Sequence, residues 1–526
     1  MKRPFSSRTR PWPGSAERGS AAVTVILLMV VFTGLALAML HASGIHLKIN
    51  GYRRFSALLD CASENGLKRG LADLASRLDT AGLLAAVADD AVEAMRDDPL
   101  AAFPLLLADA LGAAAFPRSL EESSDGMTWQ SRAECVFDSL EDRGGYLQIA
   151  AAFGIEAWGG LDRVRHRRRS ALEGSLGLLA GRLPLAAIPF YIEGELTEAE
   201  MAAFAEENGI SFPAKAGGLL GSGLAASSGG VLPDDPGEAA AAALNIGVFR
   251  PGDLSPARLR QALGLETSTD PVPEGVYLIR NDLGLGGTFV QGDLEELVLA
   301  VRGDAQIAVF RAGGAEWRLE WSPARSWTEF VRPEGSETFE LVPLPIIFVN
   351  GAVAALGGGA VGLDGRVEMA FEGTTPAVLD GVDLAIVSAD RVTIASHLVL
   401  EGVRWQDGIP YSRDSKAQLI IHASGQDVVT GEATAGGIAV GAGAPETLKL
   451  QASLTAAAGG FRIEGSGKAI EVLGALHADA YEGNGSRMSV VRDDRAADGN
   501  FSRYAPRTPG SHVAFCALAV LNWKEY

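Results

Sequence analysis

Between Ser20 and Leu40 the chain runs for 21 residues, SAAVTVILLMVVFTGLALAML, without a charged side chain. At 1.5 Å of rise per residue a helix of this length spans about 30 Å, the thickness of a bilayer's hydrocarbon core. The residues before it include Lys2, Arg3, Arg8, Arg10 and Arg18 against the single acid Glu17. The positive-inside bias then keeps residues 1–19 in the cytoplasm and sends the bulk of the chain across the membrane. A cleaved secretory signal is the alternative, since Ala36-Leu37-Ala38 satisfies the small-x-small cleavage rule. The run exceeds the roughly 7 to 15 apolar residues of such a signal, however. It also does not stop: in LKINGYRRFSALLDCASENGLKRGLADLASRL, Leu58, Cys61, Ala62, Asn65, Leu67, Leu71, Leu74 and Leu78 recur near helical spacing. One long helix, apolar in its first half and amphipathic in its second, fits the text better than a disposable leader.

A short basic leader ending in Gly19, an apolar helix opening at Ser20, and the segment CASENGLKRGLADL together resemble the N-terminus of type IV pilin-like proteins. The nearest likeness is to PilX-like minor pilins and the K-type pseudopilins of type II secretion, and it covers about 80 residues. The resemblance implies cleavage between Gly19 and Ser20 by a prepilin peptidase and methylation of the new Ser20 amine. It also implies lateral packing of the helix through Ala21, Ala22, Thr24 and Gly34, with Ala36 and Ala38 beside them. One residue departs from the pattern. Major pilins carry Glu at the fifth mature position, where this chain has Thr24. A carboxylate in a bilayer needs a partner, in that family the amine of a neighbouring subunit, and Thr24 cannot neutralise an amine. The departure points to a minor or tip subunit rather than a repeating one.

Beyond the long helix, residues 80–120 read as one or two further helices rich in Ala and Leu. Period-two alternation follows, with strands expected around Met127 to Phe137, Gly145 to Ile155 and Leu161 to Leu172, separated by turn signals. A helical spine and a three-stranded antiparallel meander are the layout of a pilin head. The basic cluster RVRHRRR, Arg163 to Arg169, is expected on the outer strand, where charge guards an exposed edge. Phe212 to Ala243, rich in Gly, Ala, Ser and Pro, reads as a linker. Past it come short apolar alternations punctuated by glycine, such as GVYLIR, IIFVNGAVAAL and VDLAIVSADRVTIASHLVLEGV. Their spacing suggests a right-handed parallel β-helix over much of Gly275 to Gly483, with a β-sandwich as the alternative. The fold class is therefore α+β. Its expected segments are a leader (1–19), a transmembrane and amphipathic spine (20–79), helices and a pilin-like head (80–180) and a linker region (181–245). A β-rich region (246–343), a β-solenoid (344–483) and a tail (484–526) follow, with His512 to Tyr526 a candidate final strand closing the solenoid.

The formal net charge of −20 argues against nucleic acid, because phosphate binding rests on clustered Lys and Arg. The three cysteines, Cys61, Cys135 and Cys516, lie far apart and outside any metal-ligand spacing. In an exported body one pair is free to form a disulfide, with Cys135 and Cys516 the pair away from the membrane helix. The histidines show no HxH or HExxH spacing. GGGAVG, Gly357 to Gly362, matches the dinucleotide fingerprint formally, but a strand-like LDGRVEMAF follows where a helix is needed, so it reads as a turn between strands. GSGK, Gly465 to Lys468, lacks the first glycine of a phosphate loop, and Ala469 stands where Ser or Thr holds the metal. Asp380, Asp383 and Asp390 are the acids to test for polysaccharide cleavage. The expectation is a non-enzymatic component of a type IV pilus or type II secretion machine, single-pass in the inner membrane, with a periplasmic or extracellular body. Its partners would be prepilin peptidase, other pilin-like subunits and inner-membrane assembly proteins, with no cofactor or metal. The alternative is a membrane-tethered, exported β-helix protein that binds or cleaves polysaccharide.

Overall fold

A computed structural model describes residues 16–525, apart from 81–84, 112–117, 125–126, 144, 162–166, 189, 193–197, 213–223, 226–235, 282–283, 374, 407–408, 413, 494, 496–500 and 509. It opens with a single helix, α1 (Ala16–Thr80), of 65 residues and therefore about 98 Å long. Two short helices follow, α2 (Asp89–Asp97) and α3 (Pro99–Leu111), where the Ala- and Leu-rich text placed them. The chain then enters an antiparallel meander of β1 (Arg118–Ser124), β2 (Met127–Asp142), β3 (Tyr146–Leu161) and β4 (Arg167–Gly181).

The last strand of the chain, β5 (His512–Glu525), lies antiparallel to β4, from His512 opposite Gly181 to Glu525 opposite Ser170. It completes a six-stranded head sheet in the order Ala85–Ala86, β5, β4, β3, β2, β1. One expectation is corrected here and another is refined. The expected final strand from His512, described as far as Glu525, belongs to the head, not to the end of the β-rich body. β4 has β3 on one side and, from Ser170 to Gly181, β5 on the other, so over that length it is not an outer strand; Arg167, Arg168 and Arg169 precede that length and pair, among the described residues, with β3 alone, and residues 163–166 of the basic cluster lie outside the described residues. The solvent-reaching side chains of Arg168 and Arg169 meet neighbouring acids, Arg168 pairing with Asp60 of α1 at 2.7 Å and Arg169 with Glu156 of β3.

Everything between Gly181 and His512 is inserted at the tip of the β4–β5 pair. It contains two 11-stranded sheets. The chain alternates between them: Gly284–Gln291 to Glu296–Arg302, Ile346–Asn350 to Val353–Val361, Asp383–Ser388 to Val392–Ile394, then Gln418–Ala423 to Ile438–Val440. Two further passes run Thr447–Ala456 to Phe461–Ile463 and Ala469–Ala478 to Tyr481–Glu482. Successive strands within each sheet pair in parallel. Inward residues of both sheets, among them Val349, Ile386 and Ile421 from one and Leu356, Ile394 and Val440 from the other, share one apolar core.

The continuous apolar run IIFVN has a physical cause. Ile347 and Val349 face that core, while Ile346 and Phe348 face a second cluster under the helix Gly237–Leu244. A strand covered on both faces loses its alternation. The helix itself corrects part of the linker expectation, because GEAAAAAL supplies strong helix formers small enough to pack flat on a sheet. Phe190–Ile192 and Ile210–Ser211, also in the expected linker region, add parallel strands to Ala469–Ala478 and Arg487–Val491. At the opposite end of the stack an antiparallel strand, Gly275–Asn281, covers Gly284–Gln291. The second sheet is extended there by an antiparallel meander from Ala305–Ala312 to Gly335–Phe339.

Candidate functional site

The two halves of α1 live in different surroundings. The residues described between Val23 and Leu40 are exposed on every side, Val30 at 67% and Leu40 at 71%. This half is long and apolar enough to cross a membrane. From Leu59 onward one face is buried: Leu59, Ala62, Ser63, Leu67, Leu74 and Leu78, at the three- and four-residue spacing of a helix stripe. That stripe lies on β2, β3 and β4.

The seat is made by glycines. A Cβ built on Gly70 would stand 2.9 Å from Ile155 Cγ2 of β3, and one on Gly159 of β3 would stand 2.3 Å from the backbone nitrogen of Ser63. Helix and sheet backbones therefore approach closer than any larger residue permits. The Ser170 hydroxyl donates to the Ser63 hydroxyl at 2.9 Å within the same contact. Gly66 and Gly70 belong to CASENGLKRGLADL, so that segment supplies the side-chain-free face by which α1 lies down on the sheet. Their four-residue spacing was the signal available in the sequence.

The sequence-derived site residues fall as follows. Gly19 and Ser20 lie within the helical backbone of α1, with nothing described of their side chains or those of Ala21 and Ala22. Thr24 is exposed on the apolar half, as are Ala36 and Ala38. A Cβ on Gly34 would meet nothing within 4 Å. Gly34 lines a shallow hollow of about 430 Å³ with Ile26, Met29, Val30, Thr33 and Leu37. Thr33 and Gly34 form a notch in this flank between the larger Ile26, Met29, Val30 and Leu37.

Elsewhere the polar residues singled out in the sequence turn out to hold the backbone together. The Asp380 carboxylate accepts from Lys416 N at 2.6 Å, and Asp390 accepts from Ala435 N at 3.0 Å. Asp383 accepts from Arg503 N at 3.3 Å, and its pKa is pushed up by burial against the lowering pull of Ser502 and Arg503. Asp383 opens the six-residue strand Asp383–Ser388, some 17 Å long, and Asp390 lies beyond its far end, so they are not a close acid pair. Lys468 donates to Ala442 O at 3.1 Å and Ala444 O at 2.5 Å, which makes it a clamp on a turn. GGGAVG lies within and just past the strand Val353–Val361 rather than at a turn between strands. A Cβ on Gly358 would stand 2.6 Å from His397 O, so the glycines admit a neighbouring backbone. His397 accepts from Lys449 N through Nδ1 at 3.1 Å and faces Phe371 O through Nε2 at 3.1 Å, with its pKa lowered chiefly by burial.

Among the described residues no group of three or more His, Cys, Asp or Glu could hold a metal ion. Cys61 and Cys135 are free thiols. The Cys135–Cys516 pairing is excluded by topology: β2 and β5 are three strand positions apart in the head sheet, about 14 Å against the ~6 Å between Cα atoms that a disulfide spans. Burial pushes the Cys135 thiol up to about 12, which leaves it protonated. No known protein family, curated protein or solved structure matches the chain.

Proposed function

We propose that the chain is a structural, minor pilin-like or pseudopilin-like component of a type IV pilus or type II secretion machine. The observation that carries the reading is the division of α1: a bare apolar half of membrane length continues, without a break, into a half seated on an antiparallel sheet. In this reading residues 20–40 are held in the inner membrane, with residues 1–19 cytoplasmic and the head and body on the far side. Prepilin peptidase cuts between Gly19 and Ser20, and the new amine of Ser20 is methylated. The apolar half then packs sideways against other subunits' helices through Ala21, Ala22, Thr24 and the notch at Gly34. Thr24 brings no carboxylate to a neighbour's amine, which suits a subunit used once, at a tip or base, rather than along a filament. The alternating body is read as a right-handed parallel β-helix carried outward by the head, since crossovers between parallel strands of one sheet take that hand.

Mass spectrometry of the chain purified from its own membranes tests this reading. The expected N-terminus is N-methylated Ser20. A chain that begins at Met1, or after Ala38, sinks the proposal.

A further inference from the structure

The end of the body farthest from the head holds an open groove. Six strand positions, about 29 Å, separate Gly275–Asn281 from Ala469–Ala478, the strand that pairs with the connector from the head. The groove encloses about 640 Å³, within the range of ligand sites. One wall is Arg280, Asn281 and Leu285 of the first body sheet, and the other is Glu337 to Leu341, along and just past the outermost strand of the second. Among the described residues that strand, Gly335–Phe339, pairs on one side only, with Trp327–Arg332. Along its other side alternate residues present N–H and C=O groups to the groove.

The chemistry of the walls narrows the occupant. Leu285 and Leu341 offer apolar surface, and the Arg280 guanidinium lies over Phe339, 5.7 Å from the ring centroid, which covers one face of the only aromatic ring on the walls among the described residues. A sugar ring would need such a face to stack on. Glu337 and Glu340 bring two carboxylates; Glu337 is shared with Arg332, whereas Glu340 has no partner among the described residues. The chain as a whole carries −20. Acids on a free edge also discourage strand pairing in general. A guard of that kind needs no opposite wall, and here one stands across the groove.

We propose that this groove binds an extended, lysine- or arginine-bearing segment of a partner protein, which adds as a strand to the free edge of Gly335–Phe339. Backbone pairing supplies the register, and a cation of the segment meets Glu340, while Glu337 stays with Arg332. The proposal is independent of the pilin-like reading, because it concerns the body alone.

The test uses the full chain in detergent micelles and the fluorescein-labelled peptide Lys-Val-Lys-Val-Lys-Val, followed by anisotropy. The expected result is saturable binding that weakens as salt rises, falls about tenfold in Glu340→Lys, and is lost when alternate peptide nitrogens are N-methylated. An unchanged melting temperature shows that Glu340→Lys folds normally. Glu-Val-Glu-Val-Glu-Val should not bind. The proposal is overturned if the basic peptide does not bind, or binds equally well to Glu340→Lys and in its N-methylated form. Displacement of the peptide by chitohexaose would assign the groove to a glycan and overturn it equally.

Discussion

His477 is a histidine whose environment forbids its usual behaviour. It is fully buried on Ala469–Ala478, where Nε2 faces Ile188 O of the connector at 2.6 Å and Nδ1 faces the Thr455 hydroxyl at 3.2 Å. Burial lowers its pKa to about 4, against about 6.5 in an unfolded chain. The unfolded chain therefore takes up the proton first. This group's contribution is complete above pH 6.5 and is lost as the pH falls from about 6.5 to 4, an amount of about 3 kcal/mol. Urea unfolding at pH 7 and pH 4.5 should show His477→Gln losing clearly less stability than the parent chain between the two. Equal losses would remove His477 as the cause. Nothing in the text LGALHADA separates this histidine from a surface one, because its acceptor lies 289 residues away.

Among the elements, α1 shows how two kinds of surface occupy one continuous helix. Its head half depends on close backbone approach. Gly159→Ala places a carbon 2.3 Å from the Ser63 nitrogen, and backbone cannot step aside as a flexible side chain can. The helix must lift off the sheet, at a cost of about 1–3 kcal/mol. Gly154→Ala, five residues away on the same strand, meets nothing within 4 Å and should leave stability unchanged or slightly raised. Thermal melts of both variants in one detergent measure the difference, and equal melting temperatures would show that the seat is not tight. Helical spacing made the buried stripe of α1 readable from sequence. Gly66 and Gly70 carry that spacing too, but Gly159 on the sheet beneath them has no such mark, because tight contact is a property of two elements and each pattern describes only one.

As a whole, the molecule is a small head into which a large β-rich body has been inserted. Gly181 and His512 are directly opposed partners on adjacent strands, so the body enters and leaves at one point. Leu183 N donates to the Thr508 hydroxyl at 3.0 Å, and Leu185 N to Pro506 O at 2.7 Å, so the two connectors run side by side. Such partners lie about 5 Å apart, a distance that a two-residue Asn-Gly turn bridges. Replacing residues 182–511 by Asn-Gly should leave a head that melts cooperatively with α1 attached. Its stability will be reduced, because Tyr146, Leu179 and Ala514 lose their cover from Leu185, Ile188 and Tyr191. A truncated chain without a cooperative transition would show that head and body form one folding unit.

The sequence by itself determined what depends on near neighbours: an uncharged run of membrane length, a helical period continuing beyond it, and short strands broken by glycine. These are local properties, set by composition and by the 3.6- and 2-residue periods of the backbone. Tertiary structure alone decided which strands are neighbours. An alternating strand presents the same pattern to every partner of like register, so HVAFCALAVLNWKE reads equally well as the close of the body or as the fifth long strand of the head. Only the space beside β4, left open by a body that departs and returns at the same tip, settles the choice.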